Sequence, residues 1–172
     1  MTSAQEKRER TLSIVVRNKP DVLARIAATF SSRGFNIESI SANVTENPAV
    51  TRIVLTTLST ARTMTRMVKQ LHSLVDVLEV EDLSNGDALR REMALFRIQT
   101  DQARWAELLA LVHAHPWRLL EAENGQGILE VTGTSRDIGE ALELLSSFGP
   151  EDMARTGAVA LRRAPGTDFA KA

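Results

Sequence analysis

Few residues of this 172-residue chain are equipped for catalysis. It has no cysteine and three histidines, His72, His113 and His115. His113 and His115 stand two apart at the end of an expected helix that Pro116 terminates. As metal ligands they would need two further donors, and no Asp/Glu cluster stands near them in the sequence. A polar helix exit is the simpler account of the pair. His72, within QLHSLVDV, suits packing or capping. No spacing assembles a histidine with a serine and a carboxylate into a nucleophile system. Gly125-x-Gly127 joins two expected strands, so it is a hairpin rather than a phosphate loop. Gly133-Thr134-Ser135 does join a strand to a helix, where Thr134 or Ser135 serves as N-cap and phosphate binding is the lesser reading.

The turn Asn18-Lys19-Pro20-Asp21 carries more chemistry. It lies between an apolar β-branched segment and an amphipathic helix. A helix start exposes backbone N–H groups that attract anions. Two roles fit this turn. One is an ordinary capped start, with Asn18 as N-cap and the Asp21 carboxylate facing the positive end of the helix dipole. The other is a small-molecule pocket in which helix N–H groups hold a carboxylate and the Asn18 amide meets an ammonium or carboxylate.

The elements that hold this turn occur twice. TLSIVVR (11–17) is the first strand, and a helix follows over 20–33 with Val22, Leu23, Ile26, Ala27 and Phe30 inward. Pro20 suits its first turn and Gly34 its αL exit. FNIESISANVT and AVTRIVLTTL form a hairpin about Asn47-Pro48. A helix over 62–73 and the strand VDVLEVEDL complete a βαββαβ unit. The order restarts with MALFRIQT, a helix through Trp105, Leu108, Leu109 and Val112, a hairpin about Asn124-Gly125, a helix through Ile138, Ala141, Leu142 and Leu145, and GAVALRR as closing strand. The expected fold is therefore α+β, two tandem ferredoxin-like sandwiches. Expected boundaries are a disordered tail over 1–10, a first domain over 11–83, a linker over 84–90, a second domain over 91–163 and a disordered tail over 164–172. Both faces of the first and third strands are partly apolar, unlike a sheet open to water. That predicts either a second layer or pairing with another copy.

Composition removes several classes. The net charge of −1 gives no bulk attraction to nucleic acid or acidic membranes. Aromatics make up 4% with no tyrosine, too few for a base-stacking sheet, and Phe35 and Phe96 read as core. No apolar run approaches the roughly 20 residues that span a bilayer. The lack of cysteine fits a cytoplasmic chain.

LSIVVRNKPDVLARIAATFSSRGFNIESISA resembles the N-terminal ACT domain of the small, regulatory subunit of acetolactate synthase. RGFNIESI (33–40) is the most diagnostic stretch. TRIVLTT, KQLHSLVDVLEV, REMALFRIQT, VTGTSRDIGEAL and RTGAVALRR continue the likeness in the right order, from about Thr11 to Arg163. The resemblance implies a non-catalytic regulator of branched-chain amino acid biosynthesis. Thiamine diphosphate, magnesium and FAD are expected on the large catalytic subunit and none on this chain. It also implies a homodimer through the ACT domain, with valine as effector at the dimer interface. Carried over by position, the effector-facing residues are Asn18, Asp21, Val22 and Leu23 of one chain, with Asn36 and Ile37 of its neighbour. One departure matters: the family turn resembles Asn-x-x-Gly, and here Asp21 replaces the glycine that lets a ligand approach the backbone. Its carboxylate is expected to occupy the effector's space, and Pro20 removes one donor N–H. Valine feedback is therefore expected to be weakened or altered. An ACT-type amino-acid-sensing module for a different enzyme is the alternative. An enzyme in its own right finds no acid, base or nucleophile constellation.

Overall fold

A computed structural model describes residues 6–86 and 88–163. The chain divides into two compact units, the first holding residues 6–86, 88–89 and 158–163 of those described, the second 90–157.

In the first unit the order is β1 (Arg8–Arg17), α1 (Val22–Ser31), β2 (Ser39–Val44), β3 (Val50–Ser59), α2 (Ala61–His72) and β4 (Val77–Asp82). The sheet is antiparallel, in the order β2-β3-β1-β4. Period-2 alternation sends Leu12, Ile14 and Val16 of β1 and Ile53 and Leu55 of β3 to one face. There they meet Val22, Ile26 and Phe30 of α1 and Met64, Met67 and Leu71 of α2 in a buried core. Phe30 is fully buried. Gly34, at φ +70°, makes the left-handed turn out of α1.

The opposite face carries Thr11 and Ser13 of β1 and Val54 and Thr56 of β3, all buried. Val54 packs with Leu83, Ala88, Ala158 and Ala160. The second layer over this patch thus comes from the same chain, and no second copy is required to bury Val54.

The second unit follows with β5 (Ala88–Gln99), α3 (Gln102–Ala114), β6 (Arg118–Glu123), β7 (Gln126–Gly133), α4 (Ser135–Ser146) and β8 (Pro150–Arg155). Its strands run β6-β7-β5-β8; β5 also pairs β9 (Val159–Arg162), which belongs to the first unit. Ala94, Phe96 and Ile98 of β5 and Leu129 and Val131 of β7 meet Leu108 and Val112 of α3 and Ile138, Ala141 and Leu145 of α4. Phe35 packs half-buried on the first core and Phe96 lies inside the second.

Several expected boundaries shift. β1 starts at Arg8, so 8–10 are strand rather than tail. β5 starts at Ala88, inside the expected linker. The fourth strand of the second sandwich is Pro150–Arg155, and GAVALRR supplies β9 in addition. PEDMAR escaped notice because its pattern is almost wholly exposed and carries a proline. Residues 1–5 and 164–172 of the expected tails lie outside the described residues.

Candidate functional site

The β1–α1 turn is held from two sides. Below it, the Asn18 N–H donates to the Ala49 carbonyl at 2.8 Å, and the Asn18 side-chain amide donates to the Pro48 carbonyl at 3.0 Å. Asn18 therefore ties the turn to the β2–β3 hairpin instead of capping α1. Beside it, Asp76 sits in the loop ahead of β4 with a side chain 6% exposed. Its carbonyl accepts the Arg17 N–H at 2.9 Å, its carboxylate meets Lys19 Nζ at 2.7 Å, and Arg25 of α1 donates to the same carboxylate. The Lys19 ammonium, then the Arg25 guanidinium, hold the Asp76 carboxyl below the usual carboxylate range.

The helix starts at Val22, with Asp21 as the residue before it. Asp21 makes no capping hydrogen bond. Its carboxylate lies 3.3 Å from Arg25 Nε, an i,i+4 ion pair on the surface. The acid that was expected to fill an anion seat is thus turned along the helix toward a cation. α1 is unlike α2, α3 and α4, whose cap side chains (Thr60, Asp101 and Thr134) each accept a first-turn N–H.

Over this turn opens a cleft of about 430 Å³. Val16 and Ile53 form its floor, Val22 and Leu23 its helix side, and Ala42 and Val44 of β2 its far wall. Arg17, Asn18, Lys19 and Thr51 supply the polar rim. The cleft offers apolar side walls for a short branched chain and a polar rim, with Arg17 and Lys19 on it, that suits a carboxylate.

Of the residues assigned from sequence, Asn18, Val22 and Leu23 line this cleft, and Asp21 does not. Asn36 and Ile37 lie ahead of β2, away from it within one chain. Asn36 Nδ2 donates to Glu38 at 3.1 Å, its carbonyl accepts from Thr57 at 2.6 Å, and Ile37 packs on the first core. Sequence reasoning missed Ala42 and Val44, whose alternation along the second strand was a usable signal. It also missed Asp76, which sits 51 positions from Arg25 and gave no local sign.

Elsewhere, His115 Nδ1 lies 2.9 Å from the Leu111 carbonyl and its ring stacks on Trp117 at 4.4 Å. Among the described residues no three His, Asp or Glu side chains gather as metal ligands. No helix among them is long and apolar enough to cross a membrane. Thr134 is the N-cap of α4, in a capping box with Asp137. Thr134's backbone N–H, then its hydroxyl, hold the Asp137 carboxyl below its ordinary range.

Two family models cover most of the chain. One describes the AHAS small subunit-like ACT domain and matches residues 12–79. The other describes the small subunit of acetolactate synthase and matches residues 91–164. The acetolactate synthase small subunit of Mycobacterium leprae is 33% identical over 155 residues, covering 90% of this chain and 92% of that one. The small subunit of Aquifex aeolicus is 34% identical, covering 91% and 82%. The crystal structure of the small subunit from Thermotoga maritima superposes with a TM-score of 0.83 at 32% identity, covering 91% of this chain and 98% of that one.

Proposed function

The chain belongs to the acetolactate synthase small-subunit family, and from that premise we propose that it activates a thiamine-diphosphate-dependent catalytic subunit and senses an amino acid at the β1–α1 cleft. The single observation that carries the sensing role is the cleft itself, apolar on its sides, with Arg17 and Lys19 on its rim beside an uncapped helix start. In this reading thiamine diphosphate, the divalent metal and FAD belong to the catalytic subunit, and this chain contributes no reacting group.

A second copy completes the site. β2 is an edge strand, and Leu23, Ile40 and Val44 beside it are 42%, 39% and 54% exposed. Antiparallel pairing of two β2 strands centred on Ile40 would bury these side chains and pair the free strand edges. It would also bring Asn36 of the second copy opposite Val44, at the mouth of the cleft. This arrangement gives Asn36 and Ile37 a role that the single chain does not.

Valine is the proposed effector, with weakened feedback. Asp21 places a negative charge at the helix start, where the field should favour the ligand's carboxylate. Pro20 supplies no N–H there. Arg25 offsets the Asp21 charge only in part, because both partners are solvated.

The deciding experiment measures acetolactate formation by the cognate catalytic subunit, with and without this chain, across a valine titration. Activity is expected to rise on addition of the chain and to fall only shallowly with valine. The Asp21→Gly variant should steepen that fall. An unchanged rate on adding the chain defeats the regulatory role. Full inhibition by micromolar valine defeats the weakened feedback alone.

A further inference from the structure

The outer face of α2 carries charge that nothing among the described residues offsets. Arg62, Arg66 and Lys69 are all exposed. At i, i+4 and i+7 they fall on one stripe about 10 Å long, opposite the buried Met64, Met67 and Leu71. The helix sequence ARTMTRMVKQLH has no acid. Among the described residues none of the three cations takes part in an ion pair.

Helix physics does not account for this row. Lys69, in the last turn, suits the negative end of the dipole. Arg62, in the first turn, opposes the positive end, and Arg62 and Arg66 repel at i,i+4. Helices α1 and α4 treat charge differently. Arg25 of α1 is paired with Asp21 and Asp76. α4 has Asp137 in its first turn and an Arg136–Glu140 pair at 3.4 Å.

The position of the stripe separates it from the cleft. α2 packs against β4, at the opposite edge of the sheet from β2. Copies paired through β2 therefore leave the α2 face open. We propose that Arg62, Arg66 and Lys69 form the docking surface for an acidic face of the catalytic subunit. This inference rests on the regulatory-subunit reading above. Unpaired cations in a row favour an acidic protein partner, steer its approach and give the association a steep salt dependence.

The test compares the full chain with Arg62→Glu/Arg66→Glu/Lys69→Glu, and with the milder Arg62→Gln/Arg66→Gln/Lys69→Gln. Association with the purified catalytic subunit is followed by surface plasmon resonance at several salt concentrations. Arg62→Glu also suits the helix start, so the reversed chain should fold, which circular dichroism checks. The reversed chain is expected to bind at least about tenfold more weakly at low salt, mainly through a slower association rate, with a flatter salt dependence. The glutamine variant should fall between the two. Equal affinity and equal salt slope for all three chains overturn this inference and leave the regulatory role standing. No complex with the unaltered chain overturns both. A change in the chain's own oligomeric state on charge reversal, with catalytic-subunit binding intact, assigns the face to self-association and overturns the docking role. Capture of duplex RNA by the unaltered chain alone, again with catalytic-subunit binding intact, overturns it likewise.

Discussion

The two units share a strand–helix turn, open in the first and plugged in the second. In both, the turn is tied to the following hairpin by one backbone bond, Asn18 to Ala49 and Thr100 to Gly125. Beyond that bond they diverge. Asp101 caps α3 by accepting the Arg104 N–H at 2.9 Å. Gly125 sits so close that an added Cβ would lie 2.5 Å from the Thr100 carbonyl. The Trp105 indole covers Gly127, where a Cβ would meet its Cη2 at 2.6 Å. Gly127 pairs with Ile98 as Thr51 pairs with Val16, so it takes the place that Thr51 has on the cleft rim of the first unit. The same topology therefore makes a packed structural module once and a cleft once, and the choice rests on a few side chains at one turn.

The comparison can be broken hardest at Trp105. Trp105→Ala should cost about 3 kcal/mol and leave a gap matching the first unit's cleft, as read by urea unfolding and by faster hydrogen exchange along α3. Gly127→Ala forces a methyl against that ring and the Glu121 carbonyl, and should cost about 1–3 kcal/mol in the same unfolding experiment. Asp101→Ala removes a working cap and should lose about 1 kcal/mol. Asp21→Ala, at the matching helix start, removes no cap and should change stability by only about 0.3 kcal/mol. Equal losses at Asp21 and Asp101 would erase the distinction.

A finer contrast lies in acid stability. Asp76 and Asp137 both have carboxyls held below the ordinary range, Asp76 chiefly by Lys19 and Arg25, Asp137 chiefly by Thr134. A folded value below the unfolded one stabilises the protein above the unfolded value, near about 3.9. That stabilisation is lost as pH falls from there through the lower folded values. Thermal melts across that window should show both losses. Added salt should shrink the part that Asp76→Asn removes, because partly solvated cations are screened, and leave the Asp137 part nearly unchanged.

Local pattern was enough to find both helices and most strands in each unit, because the apolar residues repeat at 3.6 and 2.0 and the turns carry Pro, Gly and Asn. It failed at β8, where the exposed PEDMAR has no apolar rhythm. It also gave GAVALRR the wrong place, since a short apolar strand does not state its partner. At the site, the turn was legible and so were Asn18, Val22 and Leu23. The direction of Asp21 was not, because a carboxylate at a helix start can cap backward or pair forward, and the arginine four residues on decided it.

By itself, then, the sequence determined the repeated βαββαβ order, the family and the location of the β1–α1 turn, all written in local periodicity and short motifs. Tertiary structure decided what those motifs do not encode. It brought Asp76 across 51 positions to fix the turn, set Ala42 and Val44 as the cleft's far wall, and laid Ala158 and Ala160 with Val54. Each is a contact between segments distant in sequence, and such contacts depend on how the elements pack rather than on any one element's own pattern.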